Sequence, residues 1–493
     1  MTPRLRRLRA QVAGRPLLGP ALTLAGGAAA AQALAFAARP ALTRLFTPEA
    51  FGVLTVVTTV LAVASTVASG GYRAAILLPR GGADRASVVA LALACALGAT
   101  GAAAFGVWAA PWLGLASGAT ALALAWLPPA LLSVEASGAA ETWLTGRGRF
   151  RAVSATRFAQ SAVTVGVQLA VGLTVARATD GAAVGLVGGV AAGFAAGTVV
   201  SWSWLALADG RLWEGVTRAR VVALARRYAR FPAFSAPAAL LNVLATRVPV
   251  FALVAFYGEA VVGQFGVAFG TLVLPLGLVA GSVGQAFFPR AADARWTGGL
   301  PALTRAAARG LWGVCAYPAL AALVAGPTLF AFVFGAEWAE AGRYAQRIAP
   351  WVLLASVAPP LTSVFDVLER QRDELAISAV MFAVQATVLV WAGRTLAPLD
   401  AVLAAGVAGA ALRALHLAWI FRAAGVPLGG AAADAARALG RALPFAAAVA
   451  LADALGAGGA VVFAVAAVAG VGALAWEARR GGMAGRADAP DPL

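Results

Sequence analysis

The chain contains no lysine; all 38 of its basic residues are arginine. A phosphate-binding P-loop needs a lysine for the β- and γ-phosphates, so ATP-driven work by that device is excluded. Schiff-base chemistry at a lysine amine falls on the same ground. Histidine is almost as scarce. His416 is the only one, which rules out a zinc site of the H-E-x-x-H kind. The two cysteines, Cys95 and Cys315, both sit inside apolar runs, so neither a disulfide framework nor a thiolate metal centre is expected. Charge of either sign is short too: 12% of residues are charged, against about 25% in an ordinary soluble chain. There is no D-x-D pair to hold a nucleotide-sugar metal, and no long outward loop to house a glycosyltransferase or polymerase site. The expectation is a protein that is not an enzyme, with no catalytic residue, no metal and no cofactor.

What fills the chain instead is apolar sequence. Of 493 residues 61% are hydrophobic, and the mean hydropathy is +0.83. Runs of about 20 apolar residues recur from Leu17 onward, the length a helix needs to cross a roughly 30 Å hydrocarbon core. Backbone groups in lipid must be satisfied internally, so these runs predict helices. The ten-residue alternation of a transmembrane barrel is missing. The expected class is all-α polytopic membrane protein, with spans at 17–38, 51–71, 86–110, 118–140, 153–176, 182–207, 233–257, 261–287, 311–334, 346–366, 375–396, 400–421, 442–457 and 459–477.

The arginines test that count of about fourteen transmembrane helices. On this assignment one side holds Arg80 and Arg85; Arg147, Arg149 and Arg151; the six between Arg211 and Arg230; the four between Arg290 and Arg309; Arg370 and Arg372; and Arg437 and Arg441. The other side holds little beyond Arg39, Arg44, Arg177, Arg343 and Arg347. With the five arginines before Leu17, the three after Glu477, and Arg73, Arg157 and Arg422 at span ends, roughly thirty of the 38 arginines then share a side, as the positive-inside rule requires. The same rule explains the net charge of +17 without any nucleic acid. Both termini are expected in the cytoplasm, the arginine-rich start being a retained anchor rather than a cleaved signal.

The longest polar connection, Asp209 to Pro232, has an amphipathic centre and reads as a helix lying along the cytoplasmic face. It separates two pseudo-symmetric six-helix bundles. The expected organisation is 1–207, first bundle; 208–232, linker; 233–422, second bundle; and 423–493, a C-terminal helix pair with a tail. A short echo supports the repeat. Arg39-Pro40 precedes Glu49-Ala50 and Gly52, and Arg247 and Pro249 precede Glu259-Ala260 and Gly263. Copies pointing the same way imply parallel repeats about an axis along the membrane normal.

F-T-P-E-A-F-G (Phe46 to Gly52) and Y-R-A-A-I-L-L-P (Tyr72 to Pro79) resemble the start of bacterial polysaccharide-biosynthesis proteins. These are Wzx-type lipid-linked oligosaccharide flippases of the multidrug/oligosaccharidyl-lipid/polysaccharide exporter superfamily. Three later stretches carry the same resemblance: G-R-G-R-F-R from Gly146, with Arg157 and Gln160; F-G-A-E-W-A-E-A-G-R-Y-A from Phe334; and V-L-E-R-Q-R from Val367. The resemblance implies two bundles that open alternately to each side of a bacterial cytoplasmic membrane. It implies an undecaprenyl-pyrophosphate-linked oligosaccharide as cargo, with polysaccharide-assembly proteins as partners. A polar headgroup of that kind needs a hydrated path with fixed cations, and arginine's planar fork suits phosphate oxygens.

The candidate cations follow. Arg247 lies near the middle of a span, where an arginine is costly unless it faces a cavity or a partner. The other reading is an internal ion pair. Asn242, five residues earlier, is a weaker polar companion. Arg73 ends the second span, either at an inner mouth or simply snorkelling. Arg39 and Arg44 stand at the outer end of the first helix, with Glu49 as a structural partner for Arg44. Arg157 and Gln160 begin span five one turn apart. Glu135 and Glu141 on span four are partners for Arg157 or sites of ion or proton coupling. Arg413 and His416 share a face of span twelve, Asp366 and Glu369 are expected to pair with Arg370 and Arg372, and Asp453 stands alone. Two other readings are a cation-coupled multidrug antiporter, which should want an acidic cavity, and a membrane glycosyltransferase or polymerase.

Overall fold

Among the described residues every regular element is helical. The computed structural model describes residues 18–79, 81–114, 118–177, 179–210 and 212–487. The chain divides into two compact units, Met1–Val250 and Phe251–Leu493.

The first unit opens with α1 (Leu18–Leu45), α2 (Pro48–Ala68), the single turn α3 (Tyr72–Ala75) and α4 (Gly82–Ala109). There follow α5 (Gly118–Gly146, with a tighter turn at Leu124–Trp126), α6 (Phe150–Thr174), α7 (Asp180–Ala208) and the short α8 (Arg218–Arg227). The turn between α1 and α2 is built from its sequence. Thr47 caps α2, its Oγ1 accepting from the Ala50 N–H at 3.4 Å. Pro48 takes the first helical position, where a missing N–H costs nothing, and Glu49 favours the positive end of the helix. The linker helix is present as α8, with Leu224 buried and both arginines of its last turn exposed.

Helix α6 is the packing centre of this unit. On one side Ser161 Oγ donates to Ala31 O of α1 at 2.8 Å. On the other, Gln160, Thr164 and Gln168 run against glycines of α7. A Cβ on Gly189 would lie 2.6 Å from Gln168 Cγ, and one on Gly193 would overlap Thr164 Oγ1. Gln168 Nε2 donates to Leu186 O at 2.9 Å. Small residues let the backbones close up and polar side chains bridge them, the usual adhesive between helices in lipid.

The long α9 (Ala236–Thr297) carries the chain from the first unit into the second and breaks at Gly258, whose φ of 81° and ψ of −175° are not helical. The second unit continues with α10 (Leu300–Phe334), α11 (Ala336–Val367), α12 (Gln371–Thr395), α13 (Pro398–Ala423), α14 (Leu428–Ala454) and α15 (Gly459–Ala487). Its core is α11. Gly326 of α10 and Gly342 of α11 touch backbone to backbone, and Gly406 of α13 sits against Arg347 O. The terminal pair is bonded to α10 along its length. Thr328 Oγ1 donates to Asp453 Oδ1 at 2.6 Å, Tyr317 Oη donates to Ala466 O, and Arg441 meets Glu477 at 2.6 Å where a Cβ on Gly313 would crowd it. Asp453, alone in the sequence, is therefore a packing bond between α10 and α14.

Eleven helices among the described residues are long and apolar enough to cross a membrane; the expected figure was fourteen. The difference has physical reasons. The expected spans 233–257 and 261–287 fall within the one element α9. The first span, 17–38, begins outside the described residues. The fifth, within α6, spends its polar residues on α1 and α7 and so falls below the hydropathy of a lipid-facing span.

Candidate functional site

After α2 the chain turns through Gly70 and Gly71, at φ of 57° and 74°. This left-handed pair, which side chains resist, ends the span and starts α3 pointing back into the unit. Tyr72 is buried, and its Oη donates to Ala225 O of α8 at 3.4 Å. Burial raises its phenol above the ordinary range, so it acts as a neutral donor.

Arg73, the next residue, crosses α5 over Gly138. A Cβ there would stand 2.6 Å from Arg73 Nη1 and 3.1 Å from its Cδ. Gly138 lies three residues from Glu135 and three from Glu141, so all three share one face of α5. Arg73 Nη1 comes to 3.5 Å from Glu135 Oε1. That carboxylate is only 1% exposed; neither oxygen makes a hydrogen bond of good geometry among the described residues, and the buried Ser69 hydroxyl is its other polar neighbour. Glu141 is held differently, its Oε2 accepting from Arg157 Nε and Nη2 of α6 at 3.3 Å each. The sequence offered both glutamates to Arg157; the structure gives Glu141 to Arg157 and Glu135 to Arg73. The result is a row of two carboxylates and two guanidiniums across α3, α5 and α6. Both arginines remain more than 40% exposed at the side chain, at 42% and 44%. A row of this kind can accept an anion at the exposed cations, and it holds one buried carboxylate loosely.

The other predicted residues lie apart from this row. Arg39 is half-buried in α1, and its Nη1 is buried with no hydrogen-bond partner among the described residues. Arg44 is exposed in the last turn of α1. Gln160 follows Arg157 by one turn but faces α7, its Cβ 3.5 Å from where a Cβ on Gly197 would stand. Arg247 is exposed on α9 and has no ion pair or hydrogen bond from its guanidinium among the described residues. Asn242 is on the same helix, and its side chain lies outside the described residues.

Several arginines read as topology signals also carry structure. Arg147 pairs with Asp209 at 3.1 Å, Trp143 Nε1 donates to the same carboxylate at 2.7 Å, and the guanidiniums of Arg85 and Arg147 flank the Trp143 ring. Arg177 Nη2 donates to the carbonyls of Thr43 and Phe46, closing the C-terminus of α1. In the second unit the expected pairing of Asp366 and Glu369 with Arg370 and Arg372 is not what forms. Glu369 meets Arg295 at 3.0 Å, and Arg370 meets Asp373 at 3.6 Å. His416 is sandwiched: its Nδ1 faces Arg413 Nη1 at 3.3 Å, its Nε2 faces Glu374 Oε2 at 3.0 Å, and its ring stacks on Phe365. The shared face of Arg413 and His416 was legible, but Glu374, 42 residues away, was not. No group of three metal-ligating side chains occurs among the described residues.

The fold is that of a multi-pass helical membrane protein. The solved structure of the lipid II flippase MurJ, in an inward closed conformation, superposes with a TM-score of 0.69 at 11% identity, covering 93% of this chain and 99% of that one. An inward-facing multidrug resistance MATE family transporter of the MOP superfamily follows at 0.53 and 13%, over 81% and 93%. A point mutant of the Vibrio cholerae MATE transporter VcmN follows at 0.51 and 15%, over 82% and 95%. At such identities the likeness is one of fold. Residues 41–343 match the family model described as polysaccharide biosynthesis protein, and the chain belongs to that family. No curated protein matches it.

Proposed function

We propose that the protein is a flippase that moves an undecaprenyl-pyrophosphate-linked oligosaccharide across the bacterial cytoplasmic membrane by alternating access. Membership of the polysaccharide biosynthesis family and the fold shared with a lipid II flippase support this reading. The observation that carries it is the state of Arg73. Its guanidinium is laid across a glycine, half exposed, and tied to Glu135 only by a 3.5 Å contact. A pyrophosphate offers more charge and paired oxygens, so it displaces the carboxylate from the guanidinium. Glu135 is then buried without a counter-charge, which is costly, and cargo loading favours its protonation. Arg157 supplies a second cation beside it, with Glu141 able to exchange partners in the same way. Arg247, Arg39 and Arg44 are the further cations of the route, with Asn242 and Gln160 as polar neighbours. The protein works without catalytic residues, metal or cofactor, with both termini in the cytoplasm.

A cation-coupled multidrug antiporter is the alternative suggested by the MATE fold. Its cationic cargo would be repelled by exposed Arg247 and half-exposed Arg73. The test is replacement of both. In cells that depend on this gene for surface glycan, Arg73→Ala and Arg247→Ala each lower surface glycan by roughly tenfold or more, the value of a charge-assisted contact. Lipid-linked precursor accumulates inside while the protein's level in the membrane is unchanged. Full surface glycan in the double variant sinks the proposal. Drug sensitivity appearing in its place supports the antiporter.

A further inference from the structure

A cleft of about 450 Å³ opens on the second unit, lined by Leu323 of α10, by Gln346, Arg347 and Pro350 of α11, and by Leu403, Gly406, Val407 and Ala410 of α13. It exists because of Gly406. With no side chain there, α13 closes onto the Arg347 carbonyl, 2.5 Å from where a Cβ would stand. Leu403, Val407 and Ala410 then form an apolar wall on the same helix. Val407 and Pro350 are exposed, so the cleft opens outward.

Two polar residues belong to its lining, and they differ. Gln346 is spoken for, its Nε2 donating to Leu323 O at 2.9 Å. Arg347 is not. It is half-buried, it is the only charged residue of the lining, and its guanidinium has no ion pair or hydrogen bond among the described residues. A cation in a membrane span without a partner is costly, and nothing else in the cleft relieves it. An occupant must therefore bring an anion to Arg347 and an apolar body to the wall. The volume sets its size. At roughly 30 Å³ for each water-sized group, the cleft holds about fifteen methylenes, one acyl chain. A guanidinium beside an apolar wall suits a phosphate headgroup with its acyl chain, because arginine's planar fork matches phosphate oxygens.

We propose that this cleft is a binding site for an anionic phospholipid of the bilayer, with one acyl chain along Leu403, Val407 and Ala410 and the phosphate at Arg347. The site is separate from the charge row on α3, α5 and α6 and does not depend on what the protein transports. It makes the second unit sensitive to the lipid around it, since the phosphate is the partner that Arg347 lacks.

The experiment uses the full chain purified in a neutral detergent, with phosphatidylglycerol or phosphatidylcholine of the same acyl chains added. Bound lipids are counted by native mass spectrometry and stability by thermal unfolding. Phosphatidylglycerol is expected to bind about fivefold more tightly than phosphatidylcholine, the preference of one arginine for an anionic headgroup, and to raise the unfolding temperature. Arg347→Gln removes the preference and keeps residual binding of both. Val407→Trp fills the cleft and weakens both, with Arg347 intact. Equal binding of the two lipids to the wild type overturns the proposal, as does a preference that survives Arg347→Gln. Undecaprenyl phosphate that displaces phosphatidylglycerol at equal concentration overturns the choice of a bilayer phospholipid.

Discussion

At the scale of single residues, Gly138 decides how the charge row behaves. With no side chain there, Arg73 lies across α5 and reaches Glu135. Alanine is the better helix former by up to about 1 kcal/mol, so Gly138→Ala should leave the protein as stable or more so. Its Cβ nevertheless takes space within 2.6 Å of Arg73 Nη1, and the flexible guanidinium is what gives way. The expected outcome is a protein with a normal membrane level and poor glycan export. In the Arg73→Ala background the same change adds nothing further, because residues acting through one contact are not additive. Additive losses of export would show that Gly138 works by another route. The row was half legible in the sequence. Arg73, Arg157, Glu135 and Glu141 were all singled out by type and position, because ionisable groups in or beside apolar runs stand out locally. Which glutamate meets which arginine depends on the reversal at Gly70-Gly71 and on how α3 and α6 cross α5. Neither is a local property.

At the scale of elements, α6 shows how hydropathy and position separate. Its Gln160, Thr164 and Gln168 lower its apolar character, yet they pack against the glycines of α7, where Gln168 is buried and donates to Leu186 O. A hydropathy reading sees the polar residues; it cannot see that α7 presents Gly185, Gly189, Gly193 and Gly197 to receive them. What was missing was the identity of the partner helix, as it was for Asp453 and Glu369, whose partners lie far away in sequence. The tightest point of this contact is Gly193, where a Cβ overlaps Thr164 Oγ1 and stands 2.7 Å from the Gln160 carbonyl. Backbone cannot swing aside as a side chain can. Gly193→Ala is expected to lower stability by about 1–3 kcal/mol, the cost of overpacking a close contact, read as a fall in the thermal unfolding midpoint. Gly101, with nothing within 4 Å of its Cβ position, is the control; Gly101→Ala should leave the midpoint in place or raise it. Equal effects at the two positions would remove the glycine face as the explanation.

At the scale of the whole molecule, the number of crossings turns on α9. A straight helix of its 62 residues would run about 93 Å at 1.5 Å per residue, some three times the roughly 30 Å hydrocarbon core. The break at Gly258 offers the relief, since φ of 81° is open to glycine and strained for other residues. If the chain reverses there, α9 crosses twice, and the arginine-rich segments before and after it face the same compartment. If it does not, they face opposite ones. The arginines favour reversal: Arg226, Arg227 and Arg230 precede α9, and Arg290 and Arg295 close it, a distribution the positive-inside rule assigns to one side. Cysteine labelling decides the matter, because the only native thiols, Cys95 and Cys315, lie within α4 and α10 and can be replaced by alanine first. In that background Ala229→Cys and Thr297→Cys, both at exposed positions, should resist an impermeant maleimide in intact cells and react once the membrane is opened. Glu259→Cys, beside the break, should react from outside. Opposite accessibility of Ala229→Cys and Thr297→Cys would make α9 a single crossing. It would also break the parallel repeat of the two bundles, because the crossings that follow α9 would then run opposite to their counterparts in the first bundle.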